Sequence, residues 1–80
     1  MLFEVYRTFN GEVIARKGHS ARTLDGFLRA IGKYQPCGDG HGFEVAIPAA
    51  YAKRLGLTEF NGLLHAPGLG AVCYGEIQKA

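Results

Sequence analysis

Residues 43–57 read Phe-Glu-Val-Ala-Ile-Pro-Ala-Ala-Tyr-Ala-Lys-Arg-Leu-Gly-Leu, and their periodicity changes half-way. Phe43, Val45 and Ile47 alternate with Glu44 and Ala46, the two-residue period of a strand with one face buried. Pro48 suits the start of a helix, where no intrahelical N–H bond is lost, and Gly56 suits its end, where φ turns positive. A strand running into a short helix over residues 48–55 is therefore expected, which makes the chain α+β.

Working outward toward the N-terminus, residues 2–9 are rich in aromatic and β-branched side chains. Asn10-Gly11 is a strong hairpin signal ahead of a second strand at residues 12–17. A three-residue loop pairing Phe9 with Val13 is the expected register. It gathers Phe3, Val5, Phe9, Val13 and Ala15 on one face, with Arg7 the exception. Gly18 ends the strand, and Ser20 or Thr23 can cap the helix that follows. Leu24, Phe27, Leu28 and Ile31 recur at i, i+3, i+4 and i+7 and are expected to face inward, with Arg22, Asp25, Arg29 and Lys33 outward. Gly26 and Gly32 each weaken that helix by ~1 kcal/mol relative to alanine.

Toward the C-terminus, Asn61-Gly62 reads as a turn, and residues 63–66 and 71–77 flank the turn Pro67-Gly68-Leu69-Gly70. Residues 35–42, QPCGDGHG, read as a loop. Gly38, Gly40 and Gly42 alternate there, so the segment is not the G-x-G-x-x-G dinucleotide fingerprint. The expected fold is one small α+β domain of order ββαβαββ with a mainly antiparallel sheet. Residues 2–34 supply a hairpin and an amphipathic helix, and residues 43–77 supply a strand, a short helix and a closing hairpin.

The 80 residues are 48% hydrophobic and 20% charged, a composition that folds. A chain of this size buries only ~60% of its unfolded surface, so its core is marginal. The longest uncharged run, residues 60–75, contains Asn61, Pro67 and several glycines and is shorter than the ~20 apolar residues of a spanning helix. The N-terminal residues show neither a basic start nor a long apolar stretch. A cytoplasmic location with no membrane partner is expected, and with it reduced thiols at Cys37 and Cys73.

The net charge of +2 is uneven. Residues 1–34 carry Arg7, Arg16, Lys17, Arg22, Arg29 and Lys33 against Glu4, Glu12 and Asp25, whereas residues 35–80 carry more acids than bases. An acidic partner would therefore approach the first half.

Catalytic chemistry has little support. Cys37, His41, His65 and Cys73 are zinc-ligand types, but the spacings Cys-x3-His and His-x7-Cys match no common ligand pattern. Cys37 with His41 and Cys73 with His65 are the thiol and imidazole pairs closest in sequence, and neither sits in a nucleophile motif. His65 and Cys73 fall on facing strands of the last hairpin, a juxtaposition that small sheets produce by chance. His19 reads as an exposed loop histidine among cations. Asp25, Asp39, Glu44 and Glu76 show no paired spacing. No enzyme activity, cofactor or metal is expected.

Glu44-Val-Ala-Ile-Pro48, then residues 49–54, then Leu55-Gly-Leu57, resembles the AbrB/SpoVT swapped-hairpin regulators, whose signature runs strand, Ile-Pro, short helix, Leu-Gly-Ile/Leu and hairpin. The similarity covers residues 42–77. It implies a homodimer with interleaved hairpins and, in its regulatory form, DNA read by basic residues near the strand. Glu44 stands about where that family places an arginine, which leaves Lys53 and Arg54 as the DNA-facing cations. In size and in its lack of catalytic motifs the chain is also similar to the small inhibitors that bacteriophages encode, such as anti-CRISPR proteins.

The expected function is binding to another protein, as a small inhibitor. Arg16, Lys17, Arg22, Arg29 and Lys33 would form one basic patch toward an acidic partner surface, with Tyr51 and Phe60 as aromatic anchors. The alternative is an AbrB-like DNA-binding regulator acting through Lys53 and Arg54.

Overall fold

A computed structural model describes residues 2–34 and 39–79. The elements run β1 (Phe3–Phe9), β2 (Glu12–His19), α1 (Leu24–Gly32), β3 (His41–Pro48), α2 (Ala49–Leu55), β4 (Thr58–Phe60), β5 (Leu63–Ala66) and β6 (Gly70–Gln78). This is the expected α+β domain with one additional short strand, β4. Within the expected loop at residues 35–42, Gln35, Pro36, Cys37 and Gly38 lie outside the described residues, and β3 already begins at His41.

The six strands form one sheet in the order β2-β1-β3-β6-β5-β4. All neighbours are antiparallel except β3 and β6. Parallel strands need a crossover, and α2 with the β4–β5 hairpin supplies it. Gly75 of β6 is what lets this pair close. A Cβ there would run into the Val45 carbonyl oxygen and meet Leu64 Cδ1 at 2.9 Å.

The first hairpin turns more tightly than expected. Asn10 and Gly11, both with positive φ, form a two-residue turn that pairs Phe9 with Glu12. The register then shifts between Arg7 and Thr8, and Arg7 lies opposite Ala15. The expected register therefore holds from Phe3 to Arg7 and fails at the tip. Asn-Gly favours the two-residue turn so strongly that the mismatch is absorbed by a bulge on β2. Val13, expected to lie with the buried set, is 56% exposed as a result.

α1 begins at its Thr23 cap, whose side chain accepts the Gly26 N–H at 3.1 Å. Phe27 and Ile31 are buried, and Leu24 and Leu28 pack against the core from its margin. α2 starts one residue later than expected, with Pro48 as the cap, and ends at Gly56 with φ 78°. Both helices lie on one side of the sheet, over Phe3, Val5, Val45, Ile47 and Leu64. Burial of a side chain such as Phe27 contributes about 1.5–3 kcal/mol, so this single apolar layer holds the domain. Among the described residues no element covers the opposite side of the sheet.

Candidate binding surfaces

Side chains alternate along each strand, so the register says which of them share the open face. Tyr6 pairs with Arg16 on one side and with Glu44 on the other. Glu44 pairs with Tyr74, Tyr74 with Leu63, and Leu63 with Phe60. Phe60, Leu63, Tyr74, Glu44, Tyr6 and Arg16 thus form one cross-strand row over all six strands, roughly 24 Å long at the usual strand spacing. Phe60 is 67% exposed and Tyr74 64%, so two large rings of this row stand in solvent. A second row places Glu76, Ala46, Glu4 and Gly18 side by side. The open face therefore joins aromatic rings to the carboxylates of Glu4, Glu44 and Glu76.

The helical side has the opposite charge. Arg7 and Lys17 point to it from β1 and β2, and Arg22, Lys33, Lys53 and Arg54 join them from the helices and their ends. Arg29 is taken up by Asp25 at 3.1 Å, an exposed i, i+4 pair. The single basic patch expected from the sequence is consequently divided. Arg16 opposes Tyr6 and Lys17 opposes Val5, so these neighbours face opposite sides of the sheet. Arg22 sits on the helical side as well. It lines a cleft of about 370 Å³ with Leu2, Ser20, Ala21, Tyr51, Arg54 and Leu55. The Arg54 guanidinium stands 5.8 Å from the centre of the Tyr51 ring. Tyr51, expected as an exposed anchor, is half-buried in this cleft, whereas Phe60 is the exposed ring that the sequence suggested.

His19 is not a loop histidine. It closes β2, stacks on Phe3 with ring centres 5.7 Å apart, and hydrogen-bonds the Tyr34 hydroxyl through Nε2. Arg7 lies over the same Tyr34 ring at 4.7 Å. Burial first, then the nearby charges of Lys17 and Lys33, hold the His19 imidazole below its ordinary value. The group joins the end of β2 to the end of α1.

Among the described residues the thiol and imidazole groups do not converge. Cys73 lies opposite Leu64 on the helical face, while His65 pairs with Ala71 and points to the open face beside Phe60. Burial pushes the Cys73 thiol up to about 12, which removes its nucleophilic form. His41 packs against Phe9 at the other end of the sheet. Cys37 lies outside the described residues. Among the described residues no three His, Cys, Asp or Glu side chains gather as metal ligands would.

Sequence reasoning did not single out Tyr6, Leu63 and Tyr74, because only strand order places them in a row. Compared with protein-family models, with curated proteins and with solved structures, the chain matches none.

Proposed function

We propose that the protein works by binding, without catalysis, and docks its open sheet face onto a protein partner that presents apolar and cationic side chains. The row from Phe60 to Arg16 carries this reading. Exposed tyrosine and phenylalanine rings bury large area at low entropic cost and are typical anchors of protein interfaces. Glu4, Glu44 and Glu76 beside them attract lysine and arginine and repel phosphates, which favours a protein over a nucleic acid on this face. A domain that covers a functional surface of its partner needs nothing more to inhibit it, as the similarity to small phage-encoded inhibitors implies.

Immobilised wild-type chain, the pair F60S/Y74S and the pair E44K/E76K should be compared for capture of a defined protein from the native host. Capture by the wild type alone supports the reading. A dimer in light scattering at micromolar concentration that the F60S/Y74S pair dissociates makes a second copy the occupant, in the C-terminal half that the swapped-hairpin resemblance implies. Equal capture by all three proteins sinks the reading. So does sequence-specific duplex DNA binding lost on replacing Lys53 and Arg54, which establishes the regulator alternative.

A further inference from the structure

The cleft between the β2–α1 connection and α2 brings together groups that lie far apart in the sequence. Arg22 and Ser20 come from the connection, Tyr51 and Arg54 from α2, and Leu2, Ala21 and Leu55 complete the walls. Among the described residues no carboxylate lines it. Among the described residues the ion pair found is Asp25 with Arg29, so Arg22 and Arg54 share a concave site with no acid to neutralise either. We propose that this cleft binds an organic phosphate monoester, with the phosphoryl group held between Arg22 and Arg54.

The chemistry of the lining selects the ligand. Arginine presents paired N–H donors in a planar fork that matches phosphate oxygens, and two forks from different elements can take different oxygens of one group. The hydroxyls of Ser20 and Tyr51 add hydrogen-bonding capacity suited to a tetrahedral anion. Size argues against the inorganic ion alone. About 370 Å³ falls in the ~300–1,000 Å³ range of small-molecule sites, far beyond the needs of one phosphate. The apolar remainder, Leu2, Ala21 and Leu55, offers a surface for the organic part of the ligand. Arg54 also lies over the Tyr51 ring, which holds the guanidinium at the cleft while its N–H groups stay available. This site is separate from the open sheet face and stands whether or not that face docks a protein.

The test is amide chemical-shift titration of the full chain with adenosine 5′-monophosphate, ribose 5-phosphate, inorganic phosphate and unphosphorylated adenosine. The expected result is saturable shifts centred on Ser20, Arg22, Tyr51 and Arg54 with the two monoesters, weaker shifts with inorganic phosphate, and none with adenosine. R22A and R54A should each lower monoester affinity roughly tenfold or more. R29A, which alters an exposed arginine outside the cleft, should leave affinity unchanged. Melting curves of the three variants confirm that the fold is retained, because all three side chains are exposed. Shifts absent at millimolar monoester overturn the proposal. So do shifts that persist in R22A/R54A, or inorganic phosphate binding as tightly as the monoesters. Binding of an oligonucleotide along the whole helical side, with no dependence on a terminal phosphate, also overturns it in favour of a nucleic-acid surface.

Discussion

The Glu59 carboxylate accepts the backbone N–H of Ile77 at 2.7 Å. β5 pairs with β6 only as far as Tyr74, so beyond that point one edge of β6 has no strand beside it among the described residues. The Gly62 carbonyl takes the Gly75 N–H at 2.9 Å, and Glu59 takes the next outward donor. A side chain thus completes the ladder where the sheet runs out. Glu59→Ala should cost about 1 kcal/mol, since a hydrogen bond to a charged acceptor is lost at an exposed site. Glu59→Gln should recover most of it, as the amide oxygen still accepts. Urea unfolding of the two variants checks both values.

Gly75→Ala should be far more costly. The new methyl group would be driven into the Val45 carbonyl oxygen and Leu64, backbone and core that cannot give way without opening the parallel β3–β6 pair. A loss of about 3 kcal/mol or more is expected, at the upper end of overpacking effects. Gly32→Ala is the control. Among the described residues nothing stands within 4 Å of its Cβ position, and it should raise stability slightly.

Stability should fall on mild acidification. The unfolded chain protonates His19 near 6.5, whereas burial, Lys17 and Lys33 lower the value in the folded state. Between the two values the unfolded state binds more protons, so folding weakens as the pH drops. The loss begins as pH passes down through about 6.5 and is complete below the lowered folded value. Melting temperatures recorded from pH 7 to about 5, above most carboxylate titrations, should decline more steeply for the wild type than for His19→Asn. Equal slopes would show that His19 is not the group responsible.

Cys73 should resist alkylation in the folded protein. Its thiol is buried and pushed up to about 12, so the reactive thiolate is scarce at neutral pH. In a Cys37→Ser background, iodoacetamide should label Cys73 only at the rate of unfolding, and promptly in urea. Fast labelling of the native chain would contradict the packing of β6 against the helices.

His65 carries a buried Nε2 with no hydrogen-bond partner among the described residues. His65→Leu removes an unsatisfied polar atom beside Phe60 and should stabilise the domain by about 1 kcal/mol. Thermal unfolding of this variant, read against Phe60→Ser, separates the polar cost from the ring contact.

Most elements could be read from residue order because their causes are local. Thr23 and Gly56 delimit helices through their own backbone and side-chain chemistry, and the alternation of Phe43, Val45 and Ile47 needs only a pleated strand. β4 escaped notice because its three residues, Thr58-Glu59-Phe60, are too few to show a period and are all exposed. At the hairpin tip apolar segregation and the Asn-Gly turn preference conflict; the turn prevails, Val13 is left exposed, and a bulge restores the apolar register only from Arg7 onward.

The fold class, the caps at Thr23 and Gly56 and the inward sides of α1 and β3 follow from residue order, since propensity, capping and periodicity act over a few neighbouring residues. Which distant residues meet is set by packing across the whole domain. Arg16 and Lys17 look like one patch in the chain but point to opposite faces, because strand side chains alternate. Arg22 and Arg54 share a cleft, and Phe60 and Tyr6 share a row, through the order in which the strands were laid side by side. That order depends on how the whole apolar surface is buried at once, a constraint that no short stretch of sequence carries.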